Sequence, residues 1–95
     1  DDRVLHYAVS ISRATREHPR LSFGAGPRGS IALVRAARAR ALLSGRTYAT
    51  PDDVKAIALP ALRHRVAPSP EADIEGSSAD TLLRSLLDQV PSPRL

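Results

Sequence analysis

Apolar residues recur at three- and four-residue intervals in four separate blocks of the chain, and almost nothing alternates with the period of a strand. Val4, Tyr7, Ala8 and Ile11 mark one face of a first amphipathic helix over roughly residues 2–16, and Pro19 closes it. The run PRGSIALVRAARARALLS, residues 27–44, is the longest helical block. It is rich in strong helix formers, and Gly45 stands where a left-handed C-terminal cap is wanted. The clearest start signal is Thr50-Pro51-Asp52-Asp53, which offers a capping hydroxyl, a proline at the first helical position and two carboxylates in the positive first turn. Val54, Ile57, Ala58, Ala61 and Leu62 then share one face. Pro60 lacks an N–H, so it is predicted to bend or split this helix around Ala58, with the segment resuming through ALRHRV. The Pro-punctuated stretch APSPEADIEGS reads as a loop. Ser77 or Ser78 caps a fourth helix, whose stripe is Leu82, Leu83, Leu86, Leu87 and Val90 and which Pro91 stops. Four short helices with brief connections predict an all-α fold, a small four-helix bundle over residues 1–95 with no repeat and no second domain.

Composition narrows what such a bundle can do. A chain of 95 residues builds one modest core and has little room for a complete enzyme. It opens on Asp-Asp and closes on VPSPRL, so a piece of a longer protein is expected. The absence of cysteine excludes disulfides and thiolate metal sites. His6, His18 and His64 lack ligand spacing, and no metal site is expected. No apolar run approaches the roughly 20 residues of a membrane span and no signal pattern opens the chain, so a soluble cytoplasmic protein is expected. The net charge of +4 would suit an anionic partner. However, Lys55 is the single lysine, and an arginine bias in an alanine-rich chain also reflects genomic base composition.

The stretch GAGPRGS, residues 24–30, stands apart because glycines and a proline surround one arginine at the start of the longest helix. Gly26 is predicted as the N-cap, Pro27 as the first helical residue and Arg28 as the second, so this cation emerges where free N–H groups and the helix dipole favour an anion. Gly24 and Gly26 allow close backbone approach or positive φ. Arg28, Arg35 and Arg38 fall on one side of the helix, as a positive face toward a nucleotide or a neighbouring subunit, or as a solvated one. Arg40 falls among Leu33, Ala36, Ala37 and Leu43, so it either snorkels outward or pairs with a carboxylate from another helix. For Arg46, Arg63, His64 and Arg65, packing between helices is favoured over catalysis, since nothing near His64 in sequence would orient it as an acid or base.

Taken in order, TREHP, the GAGPRG turn, GRTYATPDDV and LRHR resemble the C-terminal lid subdomain of the MoxR family of AAA+ ATPases, and the match covers most of the chain. The resemblance implies that the lid follows a P-loop core, and that the arginine of the family's GASPRA-like turn, the sensor 2 residue, is Arg28 here, with Pro27 beside it. It further implies ATP and Mg bound mainly by that core, a lid whose angle changes on hydrolysis, neighbouring subunits in a ring, and chaperone-like assembly or activation of a client protein. Two positions depart from the family pattern, which has serine at Gly26 and alanine at Gly29. Gly29 lowers helix propensity by up to about 1 kcal/mol relative to alanine, so a more mobile turn is expected.

The chain itself contains no G-x-x-x-x-G-K-[ST] and no acidic strand end for magnesium, so alone it is expected not to hydrolyse ATP. The rival reading from another class is a small basic helical module that binds DNA. Its recognition helix would have to be PRGSIALVRAARAR, which offers few amides for reading bases, so nucleic acid is not the expected partner. A purely structural helical interaction domain is the fallback.

Overall fold

The start and stop signals of the sequence place most of the helices. A computed structural model describes residues 2–93, and in that range the order is α1 (Asp2–Glu17), β1 (Leu21–Phe23), α2 (Gly26–Leu43), α3 (Pro51–Leu62), β2 (Ala67–Pro68), α4 (Pro70–Ile74) and α5 (Ala79–Gln89). The fold is all-α apart from one small strand pair. α1 buries Val4, Tyr7, Ala8 and Ile11; α2 contributes Leu33, Ala37 and Ala41; α3 adds Val54, Ala58 and Leu62; and α5 closes the core with Leu82, Leu83, Leu86 and Leu87. α2 ends as expected: Gly45 takes φ 82, its N–H reaches the Leu42 carbonyl at 3.0 Å, and the Arg46 N–H reaches that of Ala41 at 2.9 Å. These two bonds form a Schellman cap. None of the described helices is long and apolar enough to cross a membrane.

Three elements differ from the sequence expectation. Pro60 does not split α3, which runs unbroken to Leu62. The proline lies near the helix end, and the carbonyl its missing N–H would have bonded belongs to the exposed Ala56, where water can serve it. The segment also does not resume as helix after Leu62; residues 63–65 form a turn, held by the Arg65 N–H on the Leu62 carbonyl at 2.8 Å. The supposed loop after Val66 contains α4, for which Ser69 supplies the cap and Pro70 the first helical residue. Its start signal is that of α3 in miniature, too short to show a period. Finally, β1 and β2 pair antiparallel, with Leu21 opposite Pro68 and Phe23 opposite Ala67. Neither segment is long enough to alternate, so only their meeting in space makes them strands.

α2 and α3 are locked at one end by a single buried carboxylate. Asp53 is fully buried, and its two oxygens accept from both sides of the bundle. Oδ1 takes the Arg40 guanidinium of α2 at 2.6 Å and one Arg46 nitrogen at 2.6 Å. Oδ2 takes the other Arg46 nitrogen at 2.6 Å, the Thr50 N–H at 2.8 Å and the Thr50 hydroxyl at 3.0 Å. The Thr50 hydroxyl in turn accepts the Asp53 N–H at 3.3 Å, completing a capping box at the start of α3. Arg46 also lies over the Tyr48 ring, 5.8 Å from its centroid. Arg40 thus pairs rather than only snorkelling, and Arg46 gains a defined partner.

The hydrogen bonds from Arg46 are the main cause that holds the Asp53 carboxyl well below the usual carboxylate range; burial opposes them, and Thr50 and Arg40 add to them. The folded chain therefore binds this proton less readily than the unfolded one. The stability it contributes is complete above the ordinary value of 3.8 and is lost as pH falls from there through the folded-state value. Asp53→Asn is expected to cost about 2–4 kcal/mol at neutral pH, because the two guanidiniums lose their charge partner. Urea unfolding followed by circular dichroism should also show a flatter acid limb for the variant than for the native chain. Equal acid limbs would place the pH dependence elsewhere.

Candidate anion-binding site at the start of helix α2

The turn that opens α2 is held from below by α1. A side-chain carbon placed on Gly24 would lie 2.6 Å from the Arg16 Cα, so the turn rests directly on the α1 backbone and only glycine fits. The Thr15 hydroxyl, fully buried, donates to the Ser12 carbonyl at 2.6 Å and accepts the Ala25 N–H at 2.9 Å. Gly26 then takes φ 69 and swings the chain into the helix. By hydrogen bonding the cap is Ala25, one residue earlier than the sequence predicts, and it supplies no side-chain acceptor. The first N–H groups of α2 are left with no capping side chain, next to Pro27 and Arg28.

Gly29 does not loosen this turn. It is buried, and a Cβ there would lie 2.5 Å from the Ala25 Cβ, 3.3 Å from the Ser12 Oγ and 3.5 Å from Leu62 Cδ2. The missing methyl is what lets the first turn of α2 sit against α1 and the end of α3 at once. The two glycines that depart from the resembled pattern are therefore coupled: the left-handed Gly26 folds Ala25 back over the helix, and Gly29 makes room for it.

Arg28 is exposed, and its side chain makes no hydrogen bond or ion pair with another described residue. It lines a groove with Ile31, Ala32, Arg35 and Arg65. The trio proposed from the wheel is thus divided. Arg35 shares the groove, whereas Arg38 lies over a separate hollow with Leu5, Leu42 and Tyr48. Arg65, to which no chemical role is assigned from sequence, enters the groove from the turn after α3. Arg63, two residues earlier, turns away to Asp80 at 3.0 Å. His64 is exposed and has no hydrogen-bond partner among the described residues. No cluster of three His, Asp or Glu side chains suited to a metal occurs among the described residues. The site can offer positive charge and N–H donors, and so fits an anion.

The family model for the AAA lid domain matches residues 13–86. This chain belongs to the AAA lid domain family. It is 44% identical over 93 residues to the uncharacterized protein YeaC of Bacillus subtilis, covering 98% of this chain and 29% of that protein. It is 32% identical over 101 residues to the chaperone MoxR1 of Mycobacterium tuberculosis, covering 97% and 27% respectively. A crystal structure of a candidate ATPase from Cytophaga hutchinsonii superposes with a TM-score of 0.90 at 29% identity, over 99% of this chain and 31% of that one. The AAA lid thus spans about three-tenths of each of these relatives, and its kinship is with the MoxR branch.

Within this AAA lid the coupling of the two glycines is directly measurable. Gly29→Ala is expected to destabilise the fold by about 1–3 kcal/mol through the contact with Ala25, and Gly26→Ser by about 1 kcal/mol through its positive φ. Combining them should cost less than the sum, since a serine with negative φ lifts Ala25 off position 29. A double-mutant cycle from urea unfolding reads this; simple additivity would show the two positions to be independent.

Proposed function

We propose that this chain is the nucleotide-sensing lid of a longer MoxR-type AAA+ ATPase, in which Arg28 is the sensor 2 residue. The observation that carries the reading is the guanidinium of Arg28, exposed, unpaired among the described residues and set on the first turn of a helix whose N-terminus has no capping side chain. A planar guanidinium donates two parallel hydrogen bonds to phosphate oxygens and stays charged at any working pH. Pro27 fixes the backbone before it, and the anchoring of the turn by Thr15 and Gly24 holds the cation on the lid as a rigid part.

In this reading ATP and Mg are held mainly by the parent's core domain, and Arg28 reaches the terminal phosphate across the cleft between core and lid. Loss of that phosphate ends the contact, and the lid changes its angle to the core. Neighbouring subunits of a ring pass the change on to a client protein, in the manner that the name of the chaperone MoxR1 suggests for that relative. A cytoplasmic location belongs to the same reading. DNA binding is disfavoured because the exposed positions of α2 are arginine, alanine, isoleucine and leucine around Pro27, with no amide to pair with an adenine edge.

In the full-length ATPase, Arg28→Ala should leave the fold intact, within about 0.5 kcal/mol, since an exposed side chain contributes little to the core. Turnover should fall by about a hundredfold and ATP affinity should drop far more than ADP affinity, because ADP lacks the contacted phosphate. Steady-state rates, nucleotide titrations and thermal melts of one variant separate these effects. Normal turnover with normal ATP affinity would reduce the GAGPRGS segment to an interhelical turn.

A further inference from the structure

Arg65 enters the Arg28 groove from a different element, and its placement is fixed by the core. It stands between Leu62, fully buried, and Val66, also buried, at the turn closed by the Arg65 N–H on the Leu62 carbonyl. Leu62 is the residue that approaches Gly29 in the first turn of α2, so the base of Arg65 is tied to the base of Arg28 through one packing contact. The groove itself is lined by Arg28, Ile31, Ala32, Arg35 and Arg65, with no carboxylate among them. Four other arginines find acids: Arg20 meets Glu75, Arg40 and Arg46 meet Asp53, and Arg63 meets Asp80. Arg13, Arg16, Arg38 and Arg84 have no acid partner among the described residues, but they do not line this groove. None of the three groove guanidiniums makes a hydrogen bond or ion pair with another described residue.

Like charges gathered on one small surface without counter-charge repel one another, and an anion that bridges them relieves that repulsion. A phosphate group suits the bridge, since its oxygens can accept from more than one guanidinium at once. Arg28 and Arg35 are two helical turns apart, about 10.5 Å along the axis. Arg35 therefore marks the outer end of the groove, and the arginines anchored at the Gly29–Leu62 junction are Arg28 and Arg65. Resting on the reading of Arg28 as the phosphate sensor, we propose that Arg65 is a second phosphate-binding residue, forming with Arg28 a two-guanidinium clamp on the terminal phosphate of bound ATP. Arg35 raises the positive potential of the groove mouth without touching that phosphate.

The test uses the full-length ATPase with Arg65→Ala, Arg65→Lys, Arg28→Ala and the Arg28→Ala/Arg65→Ala pair. Arg65→Ala is expected to weaken ATP binding about tenfold while changing ADP binding less than about twofold. Arg65→Lys, which keeps the charge and loses the fork, should recover part of the loss. The double variant should lose less than the product of the two single losses, because both residues grip one group.

Arg65→Ala with ATP affinity unchanged, beside an impaired Arg28→Ala, would overturn the clamp and leave the Arg28 reading standing. Equal weakening of ATP and ADP, or fully multiplicative losses, would likewise overturn it. If neither single variant changes ATP affinity, the clamp and the sensor reading both fall. Should Arg65→Ala not fold, Arg65→Lys decides: unchanged ATP affinity and turnover would overturn the clamp, and an ATP-selective loss would uphold it.

Discussion

The carboxylate of Asp53 sets the register on which the rest of the lid depends. It ties Arg40 of α2 to the first turn of α3, and the two helices run from that point toward the same far end. Arg28 lies twelve residues before Arg40 and Arg65 twelve after Asp53. At about 1.5 Å per helical residue, Arg28 lies about 18 Å from Arg40 along α2, and α3 runs about 13.5 Å from Asp53 to Leu62 before the turn that carries Arg65, so the two cations come to the same end of the helix pair. At that far end Leu62 sits against Gly29. One ionic clamp and one apolar contact thus fix the helix pair at its two ends.

A buried carboxylate is costly to desolvate, and it persists here because every approach to it is filled by a donor. The more exposed pairs, Arg20 with Glu75 and Arg63 with Asp80, hold less. The arginines divide accordingly. Those that bridge elements have acids, while Arg28, Arg35 and Arg65, which share one groove, have none among the described residues, as is true of the scattered Arg13, Arg16, Arg38 and Arg84. The net charge of +4 is therefore a poor description of the molecule; where the counter-charges are missing is what gives the groove its chemistry.

The opening turn of α2 is also unusually constrained for a segment so rich in glycine. Gly24 touches the α1 backbone, Thr15 holds the Ala25 N–H, and Gly29 is enclosed by Ala25, Ser12 and Leu62. Glycine is used here mainly for contact, and only Gly26 uses its conformational freedom. A cation mounted on such a turn moves with the whole bundle. For the proposed sensor that rigidity is an advantage, because a force on the arginine becomes a rotation of the lid and is not absorbed in a loop.

The sequence by itself determined the all-α fold, the extents of α1, α2 and α5 to within a few residues, the start of α3, the Gly45 cap, and the placing of Arg28 on a helix start. All of these follow from short-range spacing, which caps and a period of 3.6 encode directly. The legible part of the site was the part carried by one local motif, Pro27 and Arg28. α4 had a readable start in Ser69-Pro70, but it is too short to show a period. What tertiary structure alone decided were meetings between separate elements: β1 with β2, Arg40 and Arg46 with Asp53, Arg65 beside Arg28 in one groove, and the enclosure of Gly29 by Leu62. The separation of Arg38 from Arg28 belongs with them, since a helical wheel shows direction but not which neighbour fills it. Such contacts are selected by packing and charge among residues distant in the chain, and no local pattern records the partner until the backbone has brought the two together.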